Sequence, residues 1–194
     1  MKLVLCEGNE DRLVVSGLCA ESHIDGLTVE HCAGRNNLER VLKEMPKRPE
    51  FTRGEVESLA VVIDAEISKD ASWEKIQNAV HLGFGFRPPT HGELAGESLR
   101  IAGFVISGKG GAGMLEDLCL EAVSHLPGYA CLEEYFQCLV EKTEVKEYHP
   151  KAKFRAWMAS QRDYDLKVSL AADKGYVPWE SPAFNPLREF LRSL

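Results

Sequence analysis

The feature of this sequence that most limits its fold is the run at residues 59–66, where five apolar residues precede an Asp-Ala-Glu triplet. A short apolar run rich in Val and Ile, without alternating polar residues, is typical of a strand buried on both faces of a parallel sheet. If this strand extends through position 66, Asp64 and Glu66 project from the same face at its carboxyl end, which is the edge of an open α/β sheet where ligands bind. Two interpretations stay open: a Mg²⁺ site, or a solvated acidic turn without a function.

Strands and helices are predicted to alternate around this run. Strands are predicted at residues 2–6, 27–33 and 59–66. A helical pattern follows each strand, with Asn9 as the cap of the first helix and Ser72 as the cap of the third. This order predicts a parallel sheet connected by right-handed crossovers. Glu7, which follows the first strand, is then expected at the same sheet edge as Asp64 and Glu66.

A glycine-rich stretch and the start of a helix follow the fourth predicted strand, at residues 99–106. Residues 107–113 resemble a phosphate-binding loop only loosely, because Lys109 is followed by Gly rather than by Ser or Thr, and a flexible turn is predicted instead. The helix that opens after them places Glu116 beside its apolar stripe and Asp117 nearly opposite it. Acidic residues in a first helical turn are favourable for dipole reasons alone, so these two acquire a functional interpretation only from other observations.

The C-terminal third of the chain is predicted to be helical and locally basic. Residues 1–128 are expected to form an α/β domain, and residues 129–194 a helical extension packed on it. Pro150 suits the first turn of a helix that runs to about residue 161. Three basic residues fall on one stripe of that helix: Lys151, Arg155 and Arg162. They predict either a surface that contacts phosphate or a solvated basic face beside a packed one.

The composition argues against several classes of protein. The chain of 194 residues has 23 Lys and Arg against 30 Asp and Glu, a net charge of -7, which does not favour nonspecific nucleic-acid binding through a broad basic surface. No apolar run approaches membrane-spanning length, and the chain reaches Glu7 too soon for a signal peptide. The six Cys form no C-x-x-C pair and the six His show no metal-ligand spacing. Reduced thiols in a cytoplasmic protein are therefore expected, and a zinc site is not.

Together these residues resemble the Toprim domain, the metal-binding module of topoisomerases, primases and OLD-type nucleases. That domain has Glu-Gly after its first strand, matched by Glu7-Gly8, and Asp-x-Asp after a later one, where this chain has Asp64-Ala65-Glu66. The closer resemblance is to a small prokaryotic Toprim-related family of unknown function. It covers nearly the whole chain through short motifs at residues 7–11, 63–65, 113–117 and 151–152. It implies a Toprim-like (Rossmann-like) α/β fold, with a mostly parallel sheet flanked by helices and a C-terminal helical extension.

The resemblance also implies a Mg²⁺ or Mn²⁺ cofactor and a set of site residues. OLD-type nucleases have an acid four residues after the first Glu, a later acid at a helix start and a distal Lys, for which Asp11, Glu116 and Lys151 are the candidates. The implied metal ligands are Glu7, Asp11, Asp64, Glu66 and Glu116. The implied supporting residues are Glu10 and Asp117, the implied catalytic residues Glu7 and Lys151, and the implied phosphate-binding residues Arg155 and Arg162.

Two departures from the resemblance bear on this site. Glu66 stands where the Toprim motif has the shorter Asp, which would shift the geometry of the site. The region of Lys109 and Gly110 stands where an Asp-Asn pair is expected, so any ligand from that pair is missing.

The function that the resemblance implies is metal-dependent phosphoryl transfer on nucleic acid, in the manner of an OLD-like nuclease. The alternative is a catalytically inactive Toprim module that binds or regulates, as a component of a phage-defence assembly. A haloacid-dehalogenase-type phosphatase also uses Asp-x-Asp after a strand, but it normally has a nucleophilic Asp near the first strand, where this chain has Glu7. The expected partner is nucleic acid and not a membrane. The sequence leaves open the choice of DNA or RNA, a homo-oligomer and a protein partner.

Overall fold

Four parallel strands form one sheet in the computed structural model, which describes residues 1–108, 110–163 and 174–194. The strands are β1 (Lys2–Cys6), β2 (Leu27–His31), β3 (Ser58–Asp64) and β4 (Arg100–Ile106), in the order β2-β1-β3-β4. Every residue of β3 is buried, as an unbroken apolar run predicts for a central strand of a parallel sheet. The predicted Rossmann-like α/β class, with a parallel sheet flanked by helices, is confirmed.

Helices cover both faces of the sheet. In chain order they are α1 (Asn9–Glu21), α2 (Leu38–Glu44), α3 (Pro49–Thr52), α4 (Lys69–Phe84), α5 (Leu115–Val123), α6 (Pro127–Lys142), α7 (Pro150–Ala159) and α8 (Asn185–Ser193). Short 3-10 turns occupy Arg35–Asn37, Met45–Lys47 and Pro182–Phe184. Within the described residues, no helix combines the length and the hydrophobicity needed to cross a bilayer.

The strand pairing brings the carboxyl ends of β1 and β3 side by side. Cys6 is opposite Val62 in the parallel register of these two strands, and Asp64 is opposite Ile106 on β4. Glu7, directly after β1, and Asp64, the last residue of β3, therefore lie at the ends of neighbouring strands, at one edge of the sheet. This arrangement confirms the expectation from the alternation of strands and helices.

Two hydrophobic clusters lie on the two faces of the sheet. Alternate residues of β1 enter different clusters, Leu3 and Leu5 on one face and Val4 and Cys6 on the other. The cluster that contains Val4 also includes buried residues of the C-terminal segment, among them Phe154, Trp157, Phe184, Leu187 and Phe190. The C-terminal helices thus share one core with the sheet. The division of the chain into two domains at residue 128 stays a prediction.

Several element boundaries differ from the sequence-based prediction, among them the end of β2, which lies at His31 and not at residue 33. β3 ends at Asp64 and not at residue 66, because Glu66 has a positive φ of 53° that interrupts the extended backbone. Asp64 and Glu66 are therefore not two positions on one strand face. α6 begins at Pro127, since proline fits the first position of a helix.

The helix caps differ from the prediction as well. Ser68, not Ser72, caps α4, and its Oγ accepts a hydrogen bond at 3.3 Å from the backbone N–H three residues further on. Gly8, not Asn9, precedes α1, and the carboxylate of Asp11 accepts a hydrogen bond from the N–H of Gly8 at 2.6 Å. The prediction failed here because the side chain that satisfies a helix start can lie either before or after the cap.

Gly83 allows α4 to approach α2 closely. A β-carbon at this position would lie 2.3 Å from the carbonyl oxygen of Leu42, a backbone atom that cannot move without its helix. Gly83→Ala is therefore expected to lower the free energy of unfolding by about 1–3 kcal/mol, the usual range for overpacking. Urea denaturation followed by circular dichroism measures this change.

The control is Leu82→Ala, at the neighbouring exposed position of the same helix. It is expected to change the free energy of unfolding by less than about 0.5 kcal/mol. Equal losses in the two variants would contradict a specific requirement for glycine at position 83.

Candidate metal centre

A cleft of about 1110 Å³ opens at the carboxyl edge of the sheet, beside the start of α7. Five of the predicted site residues line it: Glu7, Asp64, Glu66, Asp117 and Lys151. Asp11 and Glu116 lie close enough for their charges to raise the pKa of Asp64. The fold therefore gathers acids from distant segments of the chain, as the parallel arrangement of the strands predicts.

Asp64, the last residue of β3, is only 7% exposed. Its Oδ1 accepts a hydrogen bond at 2.9 Å from the N–H of Leu115, the first residue of α5. Burial raises the pKa of Asp64 to about 8, and the charges of Asp11, Glu116 and Glu7 contribute to this increase. A buried carboxylate among other acids is a group whose ionised form a bound cation would stabilise.

Glu7, directly after β1, has a buried oxygen that accepts no hydrogen bond. The Nη1 of Arg35 lies 3.6 Å from this Oε2, within ion-pair range but beyond a normal hydrogen bond. Burial raises the pKa of Glu7, the Arg35 guanidinium opposes that change, and the charges of Asp11 and Glu66 add to it. Buried acceptors in folded proteins are nearly always satisfied, so this oxygen, which has the Arg35 charge nearby but no hydrogen bond, is one that a ligand could satisfy.

Asp11 and Asp117 each hold the start of a helix with one carboxylate oxygen. The Oδ2 of Asp11 accepts a hydrogen bond from the N–H of Gly8 at 2.6 Å, and the Oδ2 of Asp117 accepts one from the N–H of Met114 at 2.8 Å. Both carboxylates thus lie in the electropositive first turns of α1 and α5. Glu10, expected to support the ligands, is exposed. Capping explains the positions of Asp11 and Asp117 without a metal.

Lys151 approaches the acids from the C-terminal segment. Its Nζ lies 3.9 Å from the Oε1 of Glu116, a residue of α5 that is only 7% exposed. Burial raises the pKa of Glu116, and the charge of Lys151 opposes that increase. The side chain of Lys151 is 47% exposed, so it is accessible to an anion in the cleft as well as to Glu116.

The basic stripe predicted on α7 is only partly formed. Lys151 and Arg155 are one turn apart within the helix, and both are exposed. α7 ends at Ala159, and the side chains of the next two residues donate hydrogen bonds to the carbonyl of Trp157, one of those that the helix end leaves without a helical partner. Arg162 lies beyond the end of the helix, so the expectation that it continues the stripe was wrong, whereas its contact with phosphate stays a prediction.

Glu66 lies in a turn that is joined to the glycine-rich stretch. Its backbone N–H and carbonyl both form hydrogen bonds with Gly113, at 2.8 and 2.9 Å. Its side chain is 49% exposed, and its Oε2 lies 3.5 Å from the Nε of Arg35. Gly113 has a φ of +127°, and a β-carbon there would lie 2.7 Å from the backbone nitrogen of Gly108. Lys109, on which the comparison with a phosphate-binding loop depends, lies outside the described residues.

Arg35 is the residue of this site that the sequence-based reasoning missed. It follows β2, and its side chain is 19% exposed. Its guanidinium donates hydrogen bonds to the carbonyl of Asp64 at 2.9 Å and to the Oγ of Ser72 at 2.6 Å. It also lies 3.6 Å from the carboxylate of Glu7 and 3.5 Å from that of Glu66. The strand order points to this position, because β2 ends beside β1 at the same sheet edge, but a pattern of acids alone does not include it.

The donor set fits a lightly held Mg²⁺ or Mn²⁺ better than a rigid multi-ligand site. In the part of the chain that the structure describes, no three His, Cys, Asp or Glu side chains are placed to hold one ion together. Mg²⁺ does not require this, because one or two carboxylates usually hold it while it keeps several waters. Asp64 is buried among acids and Glu7 has an unsatisfied oxygen, so these two residues are the ligands that fit best.

The raised pKa of Asp64 predicts a stability that depends on pH when divalent ions are absent. Because its pKa of about 8 in the folded protein exceeds the ordinary value of 3.8, the protonated carboxyl favours folding. This contribution is complete below the ordinary pKa and is lost as the pH rises through the folded-state pKa. Asp64→Asn removes the loss, so its stability relative to wild type is expected to rise between about pH 5 and pH 8, by up to about 1.4 kcal/mol per pH unit.

Urea denaturation in the presence of EDTA measures this difference across the pH range. Asp25→Asn, at an exposed position, is the control and should follow the wild type at every pH. A stability difference between Asp64→Asn and wild type that stays constant with pH would show that the Asp64 carboxyl is not perturbed.

Comparison with known proteins identifies a family for this chain. A family model described as "Protein of unknown function (DUF3226)" matches residues 1–194. No curated protein and no solved structure matches the chain. The relation to Toprim domains and OLD-type nucleases therefore stays a prediction from the sequence motifs. Since the family match extends over all 194 residues, the chain belongs to the DUF3226 family, a family of unknown function.

Proposed function

We propose that this protein is a metal-dependent phosphoryl-transfer enzyme that acts on nucleic acid, with Mg²⁺ or Mn²⁺ bound by carboxylates and an activity like that of OLD-type nucleases. One observation carries the proposal. Asp64 is buried at the carboxyl end of the central strand and at the wall of a large cleft, and Glu7, at the same edge, has a buried oxygen that accepts no hydrogen bond. The hydrogen bond from Leu115 accounts for one oxygen of Asp64, but no hydrogen bond satisfies the buried oxygen of Glu7, and this edge of a parallel sheet is where ligands bind.

The electrostatics of the acids support a bound cation. Burial raises the pKa values of Glu7, Asp11, Asp64 and Glu116, and neighbouring carboxylates raise them further. Such an arrangement opposes ionisation when no cation is present. A divalent ion reverses this local preference, since it is the largest charge in its surroundings. Asp64 and Glu7 would hold it, and the waters it retains leave positions for phosphate oxygens.

The chemistry follows from charge and position. A bound divalent ion polarises a phosphoryl oxygen and lowers the pKa of a coordinated water. Lys151 lines the same cleft and would offset the charge that develops on the phosphate. Glu7 would either ligate the ion or accept a proton from the attacking water, and its raised pKa is compatible with the second role.

The cleft is suited to a strand of nucleic acid. Lys151 and Lys153 line it, and Arg155 is exposed on the same short helix. Tyr129 and Tyr148 also line it, and aromatic rings are surfaces on which bases stack. A local basic edge beside an acidic centre is compatible with the net charge of -7, which disfavours only a broad basic surface.

A binding or regulatory module with an inactive centre is the second candidate. It is favoured by one specific observation, the absence of any three metal-ligating side chains placed together among the described residues. The ion pair of Glu66 with Arg35 points the same way, because it engages an acid that the motif assigns to the metal. In this case the cleft would bind nucleic acid or a protein partner without cleaving it, as in a component of a phage-defence assembly.

Cleavage of nucleic acid tests the proposed function. Wild type is expected to cut single- or double-stranded DNA or RNA in Mg²⁺ or Mn²⁺. Asp64→Asn and Glu7→Gln are each expected to lower the rate by more than about 100-fold, because the metal contributes several kcal/mol to the stabilisation of the transition state. Gel assays of labelled oligonucleotides under both ions measure these rates.

The controls separate the enzyme from the binding module. Asp25→Asn should cleave like wild type, and cleavage that persists in Asp64→Asn would come from a contaminant and count against the enzyme. Melting temperatures with and without Mn²⁺ are recorded in parallel, since an ion that binds the folded state raises them. A metal-dependent increase without any cleavage would favour the binding module.

Lys151 is expected to contact substrate phosphate. Lys151→Ala should weaken nucleic-acid binding and lower the slope of log K against log salt by about 0.7–0.9, the value for one phosphate contact. Fluorescence anisotropy with labelled oligonucleotides at several salt concentrations measures both quantities. Lys43→Ala, at an exposed position on α2, is the matched control and should leave the slope unchanged. If Lys151→Ala also leaves it unchanged, α7 presents only a solvated basic face.

A further inference from the structure

Arg35 is anchored to the turn that carries Asp64. Its Nη1 donates a hydrogen bond to the carbonyl of Asp64 at 2.9 Å, and its Nη2 donates one to the Oγ of Ser72 at 2.6 Å. Ser72 is fully buried, and its hydroxyl donates in turn to the carbonyl of Ala65 at 3.0 Å. All of these acceptors are neutral, so the bonds hold the guanidinium in place without neutralising its charge.

The guanidinium of Arg35 instead lies close to two carboxylates. Its Nη1 lies 3.6 Å from the Oε2 of Glu7, and its Nε lies 3.5 Å from the Oε2 of Glu66. These distances are longer than normal hydrogen bonds, so the attraction is mainly electrostatic. The same two acids belong to the ligand set that the sequence motifs imply. The guanidinium therefore lies where an ion shared by Glu7 and Glu66 would be expected.

The other acids of the cluster differ in whether a basic side chain lies close to their carboxylates. Glu116 has Lys151 at 3.9 Å. Asp64 forms no ion pair with a basic side chain in the residues that the structure describes, although its carboxylate accepts the hydrogen bond from Leu115. Fixed cations thus lie beside Glu66 and Glu116 and on one side of Glu7. Among the described residues, the position between Asp64 and Glu7 is the one left for a mobile ion.

We propose that Arg35 is a positioning residue that takes the place of a second metal ion, so that the centre binds one divalent cation per chain, on Asp64 and Glu7. This inference rests on the proposed function. A guanidinium stays protonated at every accessible pH, so it repels any second cation that approaches Glu66. Glu66 is then the counterion of Arg35 and not a metal ligand. Arginine also acts in phosphoryl transfer as a fixed positive charge, so the replacement of a second metal ion by Arg35 is chemically reasonable.

The number of bound ions tests this inference. Calorimetric titration of metal-free full-length protein with Mn²⁺ is expected to give one ion for wild type and two for Arg35→Gln, in which the second position has lost its fixed charge. Arg35→Lys keeps a positive charge and should remain at one ion. Arg40→Gln, on the exposed surface of α2, is the matched control and should also remain at one. A purely structural role of Arg35 would leave the number of ions unchanged in all of these variants.

Affinities give a second measurement that does not depend on the folding of Arg35→Gln. Asp64→Asn should weaken Mn²⁺ binding by more than about 100-fold, which exceeds the usual effect of residues outside the ligand set. Glu66→Gln should weaken it by less than about tenfold. Thermal unfolding of each variant verifies the fold. Equal losses in Asp64→Asn and Glu66→Gln, or two ions bound by wild type, would overturn the inference and leave the proposed function standing. Absence of Mn²⁺ binding to wild type would overturn both.

Discussion

The burial of an ionisable acid at the end of the central strand is the constraint around which this site is built. Asp64 is the last residue of β3 and has β1 and β4 as its neighbouring strands, so its carboxylate has little access to water. Its Oδ1 accepts a hydrogen bond from the N–H of Leu115, and this bond connects the start of α5 to the end of β3. The other acids add repulsion to this cost of burial, as the raised pKa of Asp64 indicates. Each charged group around Asp64 either lowers or raises the free-energy cost of burying its ionised carboxylate.

The compensation comes from parts of the fold that are remote in sequence. Arg35 reaches the acids from the end of β2, and Lys151 reaches them from α7. Two carboxylates, those of Asp11 and Asp117, are stabilised instead by the amide groups that begin α1 and α5. Since the C-terminal helices share a hydrophobic core with the sheet, the position of Lys151 depends on the packing of the whole chain.

The fixed charges beside the acids also limit how many cations the candidate centre could bind. A cluster in which all acids were free would attract several cations, whereas here most acids already face a fixed charge or a helix start. What remains among the described residues is an acidic position at Asp64, on the side of Glu7 that faces away from Arg35, at the wall of a cleft lined by acidic, basic and aromatic side chains. Under the proposed function, such a position would suit a Mg²⁺ or Mn²⁺ ion that keeps part of its water shell. It suits a permanent structural metal poorly, because that requires a closed set of ligands.

The sequence by itself determined the class of fold and the edge of the sheet where the site lies. The apolar runs that end before Glu7 and after Ile63 predicted parallel strands, because side-chain burial and the handedness of crossovers leave few other arrangements. The side-chain partners were decided only by the tertiary structure. The positive φ of Glu66 and the bonds of Arg35 depend on the turn between β3 and α4 meeting the end of β2, and no local pattern encodes that contact. Arg162 lies off its predicted stripe because α7 ends at Ala159, a boundary that the periodicity of the sequence does not reveal.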